Sequence, residues 1–386
     1  MAKLGMPSVN ISFIEAGIEA IERSQRGIVA LLLEESQDTI DKITKGYRNG
    51  EKEVAAEKLP LVIYTTDDIP SIFTDANKDY ITKCLMGYKK SPYRVKIYLQ
   101  AVNNANAKNA DKFAESLKTL STERWDYLAI PTIVTEQLES VATWLKTNRE
   151  NKFKRSKVVL PVYAGDYEGI INFANTTITT AAKTYTWAQY TPRIAGLIAG
   201  TPMTISATYA PISEVIDCDK HSVDENDEKV NRGEFFVWFD GEKFKMSRAM
   251  NSLVTTTQGK LEAYQTIKSV DIMDMIYDDI KKTAQDSYIG KYTNDYDNKQ
   301  LLITAIYGYM RELENGRLLQ RDYTKIDIDT EAVKTYQLKH GLYTKEQLAD
   351  MSELELKKLD TKKIVFLTAS IKILDAMEDI KLPINI

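Results

Sequence analysis

Ligand-type side chains come closest to a known spacing at Asp217, Asp219, His221 and Glu228. These imitate positions one, three, five and twelve of a calcium-binding loop, whose oxygens converge on one cation. Two departures count against calcium. Ser222 stands where the sharp turn needs glycine, and His221 offers an imidazole where an oxygen is required. The stretch therefore reads as a solvated acidic connector, and no metal site is expected. His221 and His340 are the only histidines, so a Ser-His-Asp or Cys-His centre would have to use one of them. The first sits in that connector and the second precedes a glycine at a helix end, so solvated or capping roles suit both. Cys84 and Cys218 lie too far apart for a disulfide framework or a CxxC site and read as buried thiols. Phosphate-cradling loops need closely spaced glycines. Neither GxGxxG nor GxxxxGK[ST] occurs, and GxSxG is absent too. Gly196 and Gly200, in "RIAGLIAGTP", suit a close helix contact better than a ligand loop. No catalytic residue and no cofactor is expected.

The elements that would have to position any site are clearer than the site. The front half alternates β-rich apolar runs ("GIVALLL", "LPLVIYTT", "YRVKIYLQAV", "WDYLAIPTIV", "KVVLPVYAG") with helix-like stretches such as "SIFTDANKDYITKCLMGY", "NADKFAESLKTL" and "TEQLESVATWLKTNRENK". Continuous apolar strands between amphipathic helices predict an α/β fold with a parallel-type sheet covered by helices. We assign residues 21–212 to that domain. A second, small α+β domain is expected over residues 213–374: the polar connector, then Asp240-Gly241 as a hairpin turn. A helix follows through Tyr264, Ile267, Val270, Met273, Tyr277 and Ile280, then a second one ending at Gly316, and strand-like text in "KKIVFLTASIKIL". A length of 386 residues fits two domains, and 43% hydrophobic with 27% charged residues fits a folded protein. Fifty-one basic against fifty-five acidic residues leave a net charge of -4 without a basic block, so nucleic-acid binding is not expected. The apolar run "IVALLL" is far short of a bilayer span, and the N-terminus lacks a secretory h-region. Synthesis in a reducing cytoplasm is the plain inference.

Both ends of the chain carry period-two patterns. Ile380, Leu382, Ile384 and Ile386 alternate with polar residues and a proline, and Val9, Ile11 and Phe13 do the same near the start. These are the extended N- and C-terminal strand arms, residues 1–20 and 375–386. Burying the four C-terminal side chains gives about 6 to 12 kcal/mol, whereas ordering their backbone costs on the order of 7 to 14 kcal/mol. One arm alone is near break-even. It gains when a neighbour's sheet edge is held close. By pattern alone, exchange with other copies and fold-back onto the same body both stay open.

The text also resembles a family, the tail sheath proteins of contractile phages and phage-tail-like bacteriocins. The resemblance rests on "GIEAIERSQRGIVALLLEE", "TPRIAGLIAGTPMTISATYAPISEV", "EFFVWFDGEKFKMSRAMNSLVTTT", "LEAYQTIKSVDIMDMIYDDI" and "FLTASIKILDAMEDIKLPINI", in this order along nearly the whole chain. It is similar to the compact form of the family, without an extra outer domain after "YRVKIYLQAV". The resemblance implies a structural subunit, not an enzyme, that forms a homo-oligomer of hexameric rings stacked helically around an inner tail tube protein. Baseplate and tail terminator proteins would be further partners, with no direct nucleic-acid contact and no membrane insertion. The particle would be a virion tail or a bacteriocin, assembled in the host bacterial cytoplasm. Contraction would drive the tube through a cell envelope, and each arm would add a strand to a small sheet in a neighbour. The Asp240-Gly241 hairpin and "VFLTASIKIL" are the expected receiving strands, and Lys334 and Lys339 on a helix over 330–341 are expected tube contacts. The alternatives are a cytoplasmic α/β enzyme without a standard nucleotide loop and another tail structural component.

Overall fold

The computed structural model describes residues 21–49, 52–102 and 109–385. The N-terminal arm with Val9, Ile11 and Phe13, and the terminal Ile386, lie outside the described residues. Contacts divide the chain into two compact units: a larger one of residues 24–278 and 373–386, and a smaller one of residues 279–372 with the described residues up to Arg23.

In the larger unit β1 (Ile28–Glu35) shows why a parallel sheet forms. Val29, Leu31 and Leu33 enter one apolar cluster, while Ile28, Ala30 and Leu32 enter a second on the opposite face. An unbroken apolar strand has a core on each side, which only a centrally placed strand provides. Helix α1 (Gln37–Lys45) follows, then the short β2 (Tyr47–Asn49) and β3 (Lys52–Val54), paired antiparallel. Next come β4 (Leu61–Ile63), α2 (Asp75–Leu85), β5 (Arg94–Ala101), α3 (Ala114–Leu120) and β6 (Tyr127–Ala129). Helix α4 (Thr135–Asn151), β7 (Lys157–Pro161) and β8 (Ile170–Phe173) complete the alternation. Helices α2 and α5 (Thr191–Ala199) supply one face, through Ile81, Cys84, Ile194 and Leu197. Helices α3 and α4 supply the other, through Leu117, Leu120, Val141 and Leu145.

The expected boundary at 212/213 is not where the larger unit ends. Strands β9 (Thr177–Thr180) and β10 (Thr184–Thr186) form a small antiparallel sheet, which β11 (Val215–Cys218) joins through β9. After α6 (Val223–Asn231), β12 (Glu234–Phe235) runs parallel to β8 and closes a seven-stranded sheet of order β12-β8-β7-β6-β1-β5-β4, antiparallel only at β4. The supposed connector is therefore structured. Asp219 accepts hydrogen bonds from the Thr176 amide and hydroxyl, Asp217 pairs with Lys220 at 3.1 Å, and Ser222 and Glu225 form a capping box that starts α6. That box, Ser-x-x-Glu, was legible in the sequence. Beyond it, β13 (Val237–Phe239) and β14 (Phe244–Met246) make the expected hairpin, with Gly241 at φ 101° and the Asp240 carboxylate taking the amides of Glu242 and Lys243.

Helix α7 (Ile267–Thr283) belongs to the larger unit up to Asp278. The smaller unit contains α8 (Tyr296–Asn315), β15 (Lys325–Ile328), α9 (Thr330–Lys339), α10 (Lys345–Ala349), α11 (Glu353–Lys358) and β16 (Leu367–Ser370). Strands β15 and β16 pair antiparallel, Ile303, Ile328 and Val333 form one buried apolar cluster of this unit, and Tyr309, Leu313, Leu318 and Leu319 are buried too. The two candidate receiving segments thus lie in separate two-stranded sheets, β13-β14 and β15-β16.

Gly196 and Gly200 do mark a close approach. A Cβ at Gly196 would stand 1.9 Å from the Cys84 carbonyl oxygen of α2, and one at Gly200 would stand 2.1 Å from the Lys90 carbonyl oxygen. Both obstacles are backbone, which cannot rotate aside. Gly196→Ala should therefore destabilise the protein by about 1 to 3 kcal/mol, as overpacked cores do, measured as a lower urea midpoint with an unchanged slope.

Candidate functional site

The C-terminal arm is fastened at its root and bare beyond it. Lys268 and Ser269, in the first turn of α7, hold the Leu374 carbonyl oxygen and the Asp375 carboxylate. Burial pulls Lys268 below the ordinary lysine range, against the opposing pull of Asp375 and Glu378. The Thr208 hydroxyl donates to Glu378 at 2.6 Å, and Arg248 reaches Glu378 at 3.5 Å and Asp379 at 2.6 Å. After Asp379 the character changes: Ile380 is 83% exposed, Leu382 76% and Ile384 75%. Among the described residues no strand is assigned beyond β16.

The root grips the chain with charges, and so does α7 itself. Asp271, Asp274 and Asp278 recur at helical spacing, and each meets a cation or a polar group from the α/β body. Asp274 is buried and receives both Arg149 guanidinium nitrogens at 3.0 Å and Lys157 Nζ at 2.8 Å. Asp271 takes Lys157 at 2.9 Å and the Tyr127 hydroxyl at 2.6 Å, and Asp278 takes Arg26 at 3.0 Å. Burial alone would raise Asp274, but Lys157 and Arg149 outweigh it and hold the carboxyl below its ordinary value. Burial would likewise lower Lys157, and the two aspartates outweigh it. The sequence displays the three aspartates, but not their partners, which lie more than a hundred residues away.

The smaller unit carries the expected tube-contact lysines on α9. Lys334 pairs with Glu331 at 2.8 Å, and Lys339 is exposed in the last turn. Val333 and Gln337 are the buried positions of that helix. Of the other residues weighed in the sequence, His340 caps α9 and packs against Tyr336, with ring centroids 4.3 Å apart and planes tilted by 42°. Cys84 and Cys218 are buried, and burial pushes the Cys218 thiol up to about 12. Such thiols are poor nucleophiles at neutral pH. Among the described residues no group of three or more His, Cys, Asp and Glu could hold a metal ion, and no helix is long and apolar enough to cross a membrane.

Comparison with known proteins places this geometry. The phage tail sheath protein central domain matches residues 103–252, and the phage tail sheath C-terminal domain matches residues 260–386. A tail sheath protein of Clostridium phage phiCD119 is 33% identical over 381 residues, 99% of either chain. The chain belongs to the phage tail sheath protein family. Among solved structures, the sheath tail protein of Desulfitobacterium hafniense shares the fold at a TM-score of 0.65 and 17% identity, over 83% of this chain and 94% of that one. A chain of an extracellular contractile injection system sheath complex, in its contracted state, aligns at a TM-score of 0.61 and 10% identity, over 100% of this chain and 98% of that one. This family is one of structural tail sheaths rather than of enzymes, and its members are components of contractile phage tails or related injection particles.

For Asp274 the consequence is thermodynamic. Its depressed value makes its stabilisation complete above the ordinary aspartate range and lost only as pH falls through the folded value. Lys157, raised, contributes below the ordinary lysine range and loses its effect as pH rises through its folded value. The pair is therefore intact across neutral pH. Asp274→Asn leaves Lys157 and Arg149 buried and short of charge, and should cost about 3 to 5 kcal/mol in urea unfolding at pH 7.

Proposed function

We propose that this sheath subunit polymerises as hexameric rings stacked helically around an inner tail tube, and that the polymer contracts to drive the tube through a cell envelope. One observation carries the assembly step: a C-terminal arm rooted on the subunit by Arg248, Thr208, Lys268 and Ser269, yet exposing Ile380, Leu382 and Ile384. A polar root with a bare apolar tip is poised to add a strand to another copy rather than to complete its own core. The N-terminal arm, with Val9, Ile11 and Phe13, takes the corresponding role at the other end. Each arm serves a different neighbour, so the contact is heterologous and propagates as a helical mesh. During contraction the woven strands stay paired while the bodies they connect change their packing. No nucleotide is required for this, because the energy is stored in the assembled form.

The inner tube protein is the partner along the axis, and Lys334 and Lys339 of α9 are the proposed contacts with it. The baseplate and terminator proteins cap the two ends of the polymer, which assembles in the host bacterial cytoplasm.

Two experiments test this reading. Deleting residues 380–386, or changing Ile384→Asp, should leave a folded subunit that forms no hollow polymers by negative-stain microscopy, because a charge on the apolar face cannot enter a neighbour's core. Long sheaths from either variant would refute the arm's role. Reversing both lysines, Lys334→Glu with Lys339→Glu, should reduce assembly around purified tubes while the thermal midpoint of the subunit stays unchanged; undiminished assembly would remove α9 from the tube interface.

A further inference from the structure

A cavity of about 640 Å³ lies in the larger unit between α6 and the chain that runs through β12, β13 and residues 247–254. Small-molecule sites occupy roughly 300 to 1,000 Å³, so this one is of ligand size. Helix α6 supplies one wall through Val223, Asn226, Asp227, Val230 and Asn231, whose spacing of three and four residues puts them on one side of the helix. A surface helix ordinarily presses its apolar stripe onto a core. Here no residue of α6 is buried, and Val223 is 73% exposed. The side that should be packed faces the cavity instead.

The opposite wall is apolar and aromatic, built from Phe236, Met250 and Leu253 with Trp238 and Tyr209. The last two rings stand 5.8 Å apart between centroids, with planes inclined by 50°. The indole N–H of Trp238 already donates to the Met246 carbonyl oxygen at 3.3 Å, so its ring face is what remains to offer. Tyr209 is 55% exposed and held at φ 55°, a left-handed conformation that a bulky residue rarely adopts and a glycine takes without steric cost. An aromatic ring stands where the backbone would prefer none.

Polar groups narrow the class of ligand. Arg248 and Asp227 are the charged residues of the lining, and the charge of Arg248 is taken by Glu378 at 3.5 Å and Asp379 at 2.6 Å. A phosphate or carboxylate ligand would therefore find no spare cation and would meet Asp227. A purely apolar guest would leave Asp227, Asn226 and Asn231 stripped of water without partners, which is costly. Asn226 Oδ1 is shielded from solvent and accepts no hydrogen bond from the described residues, while its Nδ2 makes a long one, 3.5 Å, to the His221 carbonyl oxygen. A small rotation of this weakly held amide brings the oxygen to an arriving N–H donor.

We infer that the α6 cleft binds a saccharide carrying an acetamido group, an N-acetylhexosamine of one or two rings. The C–H face of the sugar stacks on Tyr209 and Trp238, as an apolar surface does on an aromatic one. Its hydroxyls donate to Asp227 and bond with the Asn231 amide. The acetamido N–H goes to Asn226, and the acetyl methyl lies against Met250 and Leu253. This site is separate from the strand exchange and does not rest on it.

Calorimetric titration of the full-length protein tests the site. N,N′-diacetylchitobiose should bind saturably, and cellobiose, with hydroxyls in place of both acetamido groups, should bind about tenfold more weakly, the effect of one hydrogen bond. Asn226→Ala should weaken the acetylated sugar by about the same factor without lowering the thermal midpoint, since α6 buries no residue. Tyr209→Gly should abolish binding while the midpoint holds or rises, because glycine relieves the backbone; should that variant fail to fold, Asn226→Ala decides alone. No saturable binding by the unsubstituted protein, equal binding of cellobiose, or an affinity that Asn226→Ala leaves unchanged would each overturn the inference. None of these results measures polymerisation, so each leaves the sheath reading standing.

Discussion

The larger unit depends on a carboxylate that water does not reach. Asp274 joins α7 to the α/β body through Arg149 and Lys157, and it sits between Asp271 and Asp278 on the same side of the helix. An apolar helix face tolerates small slips along its groove, because one methyl contact replaces another. A face of paired charges in a low-dielectric setting does not, since displacement separates charges that cannot turn to water instead. The first turn of that helix, at Lys268 and Ser269, also holds the arm root. The aspartates that fix α7 therefore fix the point from which the arm departs.

The arm complements this rigidity. Its apolar tip offers too little burial to order itself alone, and its root uses polar contacts that, at the exposure of Arg248, each contribute at most about 1 kcal/mol. In the proposed assembly, weak individual contacts suit a connection that must form repeatedly along a polymer. In the smaller unit Ile303, Ile328 and Val333 form one buried cluster beside a sheet that has two strands among the described residues, and a sheet of two strands is marginal by itself.

Much of this was legible in the sequence. The run "IVALLL" announced a doubly covered strand, and β1 alternates between two cores as a period of two requires. The paired glycines announced the α2–α5 approach, and the patterned tail announced the apolar series that stands exposed. What failed was the boundary at 212/213. The acidic composition of residues 217–228 concealed a capped helix, and the two-residue β12 gives no periodic signal yet completes the large sheet. The partners of Asp274 and of Glu378 were illegible for another reason. Ion pairs join side chains 117 and 125 residues apart at Asp274, a hydrogen bond joins Thr208 and Glu378 across 170 residues, and no local pattern encodes which distant group a carboxylate will meet.

Arg248 and Thr208 have one mechanical consequence. Because Glu378 and Asp379 are gripped just before the apolar tip, tension that a neighbour in the proposed assembly puts on the tip would be delivered to the larger unit there, as a cable clamp shields a soldered joint. The segment from Ser370 to Leu374, which leads back to β16, would then be spared the load.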